Sequence, residues 1–129
     1  MPSIIVIDDN ELICRNLKSM LEGEGMNVTT FQDPRQAVEC CQRTSFDLAI
    51  VDIRMPHMDG FEVLQELRRL NPQIRSLMIS SHYDDEEAVA RAIMRRHCDA
   101  AFSKPFSLKR LLMSVLGLLA DPLPEPSAA

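Results

Sequence analysis

Two apolar runs in this chain stop on carboxylates. Ser3-Ile4-Ile5-Val6-Ile7 runs into Asp8-Asp9, and Leu48-Ala49-Ile50-Val51 runs into Asp52. Short apolar runs bounded by polar residues read as buried strands. Unbroken apolarity is what a parallel strand covered on both faces requires. A charge is costly to desolvate without partners, so Asp52 is expected at a solvent-facing strand end, where open α/β sheets place ligands. With both strands in one parallel sheet, three carboxylates meet at a single edge. Like charges that close either raise their pKa or share a cation. Oxygen-only ligands favour a hard ion such as magnesium. Turn chemistry explains one strand-end Asp; it does not explain three that converge.

The chain beyond these runs keeps the same rhythm. Asn10 can cap a helix over about Glu11–Glu22, with Leu12, Ile13, Leu17, Met20 and Leu21 on one face and Gly23 and Gly25 as its stop. Asn27–Phe31 is a β-branched strand. Asp33-Pro34-Arg35-Gln36 starts a second helix by cap, proline and capping-box position. After Asp52, Pro56 holds Met55 extended, and Asp59 caps a third helix with Glu62 at the reciprocal position. Phe61, Leu64, Leu67 and Leu70 form its inner face, and Pro72 bars its extension. Ile74–Ile79 is the fourth strand, ending at Ser80 and Ser81. An acidic segment, His82–Glu87, leads into a weaker helix carrying Ala88, Val89, Ala92 and Ile93. Ala100–Ser103 is the fifth strand, followed by Lys104-Pro105-Phe106. Ser107 caps a last helix with Leu108, Leu111, Leu112, Val115, Leu116 and Leu119 as its core stripe. Met113 and Leu118 lie off that stripe. Five strands alternating with five helices predict a parallel sheet covered on both faces.

A length of 129 residues suits one domain with its own core. The formal net charge of −5 argues against direct nucleic-acid binding, which is usually basic. Acids appear too early for a signal peptide, and no apolar run reaches the roughly 20 residues of a membrane span. A cytoplasmic protein without membrane contact is expected. Cys14, Cys40, Cys41 and Cys98 show no metal-site spacing and read as small apolar residues, one of the Cys40–Cys41 pair being exposed. His57, His82 and His97 lack ligand spacing; His57 and His97 read as surface residues, while His82, close to Ser80 in sequence, is either that or an influence on access to the site.

Four strand ends carry polar groups: Asp8-Asp9, Asp52, Ser80 and Lys104. An acid cluster, a hydroxyl and an ammonium suit phosphoryl chemistry, which needs charge neutralisation and positioning. A carboxylate such as Asp52 can be the covalent acceptor. On these residues, with Asp52 through Gly60 and Lys104-Pro105-Phe106, the chain resembles the receiver domain of the two-component response-regulator family. The likeness covers residues 1–120, with a Pro- and Ala-rich tail or linker over 121–129. It implies an α/β, flavodoxin-like, doubly wound five-stranded parallel sheet with five helices. It also implies magnesium-dependent transfer of a phosphoryl group from a histidine kinase or phosphotransfer protein. By resemblance Asp52 is the phospho-acceptor, Asp9 and Asp52 ligate the metal, and Asp8 assists, usually through water. Arg54 would give its backbone carbonyl to the metal, Ser80 is the switch hydroxyl, and Lys104, before a cis Pro105, contacts the phosphoryl group. The output partner or effector domain is unspecified, and a homodimer through the last two helices and last strand is a further implied partner. The domain itself would be a signalling module rather than an enzyme.

Three departures stand out. The family's usual aromatic, three positions before the lysine, is Ala101 here, and Phe102 faces the opposite way along a strand. Ser80 lacks the methyl of the more usual threonine. The Ser80–Lys104 interval is about two residues longer than is usual for the family, the extra length falling in the His82–Glu87 loop or the helix after it. A phosphorylation-independent interaction module is therefore the alternative reading. A haloacid-dehalogenase-like phosphatase would need an acid at position 54, which is Arg54. A flavodoxin would need phosphate donors where Asp8-Asp9 stand.

Overall fold

The computed structural model describes residues 1–80, 98–103 and 106–120. The expected fourth helix, His82, His97, Lys104-Pro105 and the tail lie outside them. The described elements are β1 (Ser3–Ile7), α1 (Glu11–Gly23), β2 (Asn27–Phe31), α2 (Pro34–Cys41), β3 (Leu48–Asp52), α3 (Gly60–Leu70), β4 (Arg75–Ser80), β5 (Ala100–Ser103) and α4 (Leu108–Ala120). The five strands are all parallel, in the order β2-β1-β3-β4-β5. This is the flavodoxin-like doubly wound sheet, with four helices among the described residues.

Strand alternation divides the core. Ile4, Val6, Leu48, Ile50, Leu77 and Ile79 face α1 and α4, meeting Leu17, Leu21, Leu111 and Val115. Ile5, Ile7, Ala49 and Val51 face the opposite side, meeting Ala37 of α2 with Val63 and Leu67 of α3. Ile53, Leu64, Met78 and Cys98 form a third cluster beside α3, joined by Phe61 and Ala101. Because both sheet faces are covered, β1 and β3 need apolar side chains in both directions, which is why their runs are unbroken.

The helix boundaries follow local chemistry. Asn10 Oδ1 accepts from the Leu12 and Ile13 N–H groups at 2.9 and 3.3 Å. At the other end of α1, Gly25 N–H reaches Glu22 O and Met26 N–H reaches Leu21 O. That double closure needs a left-handed residue at Gly25, φ 84°. Asp33 and Asp59 cap α2 and α3 through the Arg35 and Glu62 N–H groups, and Ser107 Oγ accepts from Arg110 N–H.

Several inner faces differ from the expected ones. Leu12 is 60% exposed, and Cys14 joins Leu17 and Leu21 on the buried line of α1. In α3, Val63 is buried while Phe61 and Leu70 are half-buried. On α4, Leu108 and Leu116 are exposed and Leu118 is half-buried against the core. Each helix lies on a twisted sheet, so its buried arc is narrower than its apolar arc and rotated from the arc's centre. Cys40 and Cys41 are both half-buried, neither exposed, because α2 ends against the α3-side core. No helix among the described residues is long and apolar enough to cross a membrane.

At the N-terminal edge of the sheet, two acids tie the strands together. Asp47 Oδ2 accepts from Ser3 N–H at 2.7 Å, while the Asp47 carbonyl accepts from Arg75 N–H at 3.0 Å. Asp99 Oδ2 accepts from Ser76 N–H at 2.9 Å. A cavity of about 730 Å³ opens there, lined by Phe46, Asp47, Asn71, Arg75 and Leu118 among others. It lies at the sheet edge opposite the carboxylates.

Candidate functional site

β1 is flanked by β2 on one side and β3 on the other, so the chain winds in opposite directions from the β1–β3 boundary. The crevice at the carboxyl ends of these two strands is where doubly wound sheets bind ligands. β1 delivers Asp8 and Asp9 to it, and β3 delivers Asp52. One carboxylate oxygen from each lies within 4.8 Å of the others. The sequence placed these three acids together, and the fold does so.

Their exposure differs from expectation. Asp52, expected to face solvent, is 0% exposed, as is Asp8; Asp9 is the exposed member. The reason is that β3 does not end at Asp52 in hydrogen-bonding terms. Ile53 N–H continues the ladder to Ile79 O at 2.8 Å, and the following loop folds back so that Gly60 N–H reaches Ile53 O at 2.7 Å. That return seats α3 against the site. A Cβ at Gly60 would overlap the Asp52 carbonyl oxygen and stand 2.8 Å from Ile53 Cα. His57, exposed in the same loop, has a left-handed φ of 75°, a region His enters more readily than most residues.

Burial dominates the electrostatics. It pushes Asp52 up to about 8, with the Asp8 charge adding to the effect and the Arg54 N–H bond opposing it. Asp8 is pushed up to about 6, again chiefly by burial, with the Asn10 N–H bond opposing. Asn10 N–H meets Asp8 Oδ1 at 2.8 Å, and Arg54 N–H meets Asp52 Oδ1 at 3.3 Å. Asp8 Oδ2 is buried with no hydrogen-bond partner among the described residues, an arrangement native proteins rarely leave without an ion or water. Three clustered acids and an orphaned buried oxygen fit a hard divalent cation.

Ser80 lies one residue beyond the Asp52–Ile79 register pair, buried at the end of β4. Arg54 is exposed. Lys104 lies outside the described residues. Ala101 packs in the α3-side cluster while Phe102 faces the opposite core, as strand alternation predicts.

Three supporting contacts were not legible in the sequence. Cys14 Sγ donates to Asp8 O at 3.2 Å from beneath the β1 end. Gln32 Nε2 reaches Asp9 O at 3.4 Å from the end of β2. Gly60 makes the close approach described above. Only the last had a signal, a glycine directly after a capping Asp.

A doubly wound sheet with an acid trio at its winding reversal defines a receiver-type signalling fold. The family model for the response regulator receiver domain matches residues 4–116. The chain belongs to this family, which works in two-component signalling. It is 31% identical over 112 residues to a response regulator receiver protein of Anaeromyxobacter sp. (strain Fw109-5), covering 87% of this chain and 46% of that protein. It is 40% identical over 86 residues to the transcriptional regulatory protein ZraR of Escherichia coli (strain K12), covering 67% of this chain and 20% of ZraR. The chain thus spans less than half the length of these relatives. Among solved structures, the response regulator TrrA of Thermotoga maritima, in complex with Mg²⁺-BeF, is similar with a TM-score of 0.78 and 26% identity. That likeness covers 92% of this chain and 99% of TrrA.

Proposed function

We propose that this chain is a cytoplasmic phospho-accepting receiver in which Asp52 takes a phosphoryl group from a histidine kinase or phosphotransfer protein. The observation that carries the reading is the cluster of buried Asp8 and Asp52 with exposed Asp9, and an oxygen on Asp8 without a partner among the described residues. An Asp52 oxygen attacks the phosphorus of the donor's phosphohistidine. The P–N bond breaks, and the imidazole keeps the electron pair and takes up a proton. Asp9, Asp52 and the Arg54 backbone carbonyl would hold magnesium, with Asp8 assisting. Bound there, the ion supplies the positive charge that keeps Asp52 ionised and offsets charge on the transferring group. Ser80 and Lys104 bind the remaining phosphoryl oxygens.

The chain turns over no small substrate in this reading. It changes a surface read by an output partner, by an effector domain or by a second copy. The exposed Leu108, Met113 and Leu116 of α4 support a reading surface on the face formed with β5. Support for a phosphorylation-independent module comes from one residue: Ala101 offers no ring to couple Ser80 to that face.

Intact mass after incubation with acetyl phosphate and magnesium, beside Asp52→Asn, tests the proposal. Gain of one phosphoryl group, lost in the variant and with chelator, is the expected result. No mass gain together with no beryllofluoride binding would refute it and favour the phosphorylation-independent module.

A further inference from the structure

Asp8 and Asp52 are fully buried, whereas Asp9, the third acid of the cluster, is exposed. Packing does little to aim an exposed side chain, so the direction of the Asp9 carboxylate begins with its backbone. The Cα–Cβ bond is oriented by the two peptide planes that meet at the residue, because φ and ψ are the soft dihedrals there. Both planes at Asp9 are held by side chains. The Asp8–Asp9 peptide is held at its carbonyl, where Cys14 Sγ donates to Asp8 O at 3.2 Å. The Asp9–Asn10 peptide is held at both of its polar ends. Asn10 N–H donates to Asp8 Oδ1 at 2.8 Å, and Gln32 Nε2 donates to Asp9 O at 3.4 Å.

The two holds come from different elements. Cys14 lies on the sheet-facing side of α1, and its N–H donates to Asn10 O at 3.2 Å. The segment from Asp8 to Cys14 therefore closes on itself across the helix start. Gln32 follows Phe31, the last residue of β2, whose carbonyl accepts Asp8 N–H at 3.0 Å. A thiol is a weak donor, but Cys14 is only 4% exposed, and a hydrogen bond shielded from water is strengthened. Between them these contacts leave Asp9 its side-chain rotations and little else.

We propose that Cys14 and Gln32 are positioning residues for Asp9, and that together they suit the acid cluster to magnesium over calcium. The inference rests on the reading that Asp8, Asp9 and Asp52 hold a divalent cation. The buried Asp8 Oδ2, without a partner among the described residues, supports that reading separately from the clustering. Magnesium demands near-ideal octahedral oxygen geometry at short range, whereas calcium accepts a larger and more flexible ligand set. An acid whose backbone is set before the ion arrives meets the stricter demand, and loosening it penalises magnesium more than calcium. Cys14 and Gln32 touch no cation; they act through the peptide planes of Asp9.

The test compares the full chain as wild type, Cys14→Ala, Cys14→Ser and Gln32→Met. Ser keeps a donor where Ala has none, and Met keeps the length of Gln without its amide. Magnesium and calcium are titrated separately and followed by amide NMR. Loss of one such hydrogen bond is expected to weaken magnesium binding by about two- to tenfold in Cys14→Ala and in Gln32→Met. Calcium affinity stays within about twofold of wild type in both, as its looser geometry allows. Cys14→Ser keeps the wild-type magnesium affinity. Equal losses for the two ions, Cys14→Ser behaving like Cys14→Ala, or unchanged magnesium binding in Gln32→Met would overturn the inference. Gln32 is exposed, so its variant decides the matter even where Cys14→Ala unsettles the core.

Carbonyl ¹³C shifts of the same proteins without metal give a second readout, since a carbonyl that loses its donor moves upfield. Cys14→Ala should move the Asp8 carbonyl, and Gln32→Met the Asp9 carbonyl. Absence of both movements would overturn the positioning role whatever the affinities do. If the wild type binds neither ion, the cation-site reading falls and takes the selectivity role with it. Failure of the positioning role alone leaves wild-type magnesium binding in place, so the two failures are told apart.

Discussion

Replacing Asp52 by Asn should stabilise the metal-free protein at alkaline pH and remove much of its pH dependence. Folding raises the Asp52 pKa to about 8 from its ordinary value of 3.8, mainly through burial. Between those values the folded state holds a proton that the unfolded chain has released. Stability from this group is therefore fully present below about pH 4 and is lost as pH rises through about 8. Asp8, raised to about 6, acts in the same direction over a lower window. One proton corresponds to a slope of about 1.4 kcal/mol per pH unit. The nominal loss from pH 5 to 8 is then about 4 kcal/mol, and water penetration and relaxation reduce it to about 1–3 kcal/mol. Asn keeps the shape of the side chain without the charge. It should raise the melting temperature at pH 8 in chelator by about 4–12 °C, and change little at pH 4. Adding magnesium should stabilise the wild type selectively and shrink the gap, since ligand binding to the native state adds RT ln(1 + [L]/Kd). Thermal melts of both proteins at pH 4, 5, 6.5 and 8, with chelator and with magnesium, are the measurement. Parallel pH curves for the two proteins would refute the electrostatic account, as would an Asn variant less stable than wild type at pH 8 in chelator.

Gly60→Ala should destabilise by about 2–4 kcal/mol, because its Cβ overlaps backbone at Asp52 and Ile53, which cannot yield as a flexible side chain would; a urea midpoint within error of wild type would contradict this. His57→Gly should gain about 0.5–1 kcal/mol by relieving a left-handed residue, while His57→Val loses a similar amount or more; both are read from melts. Cys14 and Cys98 are buried, and burial also pushes the Cys14 thiol up to about 11. Alkylation at pH 7.5 followed by peptide mass mapping should leave both unmodified until urea unfolds the chain.

The strands were the most legible part of the chain. β1, β2, β3 and β5 begin and end where apolar or β-branched runs meet polar punctuation, and β4 is shifted by one residue, Arg75–Ser80 rather than Ile74–Ile79. The acid trio was equally legible, because strand-end position alone brings Asp8, Asp9 and Asp52 to one edge in a parallel sheet. Helix faces were read less well. Leu12 and Leu116 satisfy helical spacing yet lie outside, since spacing defines an arc but not which part of it the sheet covers. The burial of Asp52 was also invisible. It depends on a backbone ladder that runs on to Ile53 and on a loop returning through Gly60, neither of which has a residue-type signature. The Cys14 contact with Asp8 is of the same kind: a helix residue meets a strand carbonyl only after the two elements pack.

The acids at the lower edge of the sheet give the domain a mechanical asymmetry. Asp47 ties β1 to β4 and Asp99 ties β5 to β4, while the opposite edge holds mutually repelling carboxylates. The sheet is bound at one margin by its acids and at the other by backbone alone, where Asp8, Ile53 and Gly60 N–H groups carry the ladder past the strand ends. Amide exchange should follow that gradient, slowest at Ser3, Arg75 and Ser76 and faster toward the strand ends that carry the acids. Charge added or removed at the margin held by backbone alone then acts with the greatest lever arm the domain possesses.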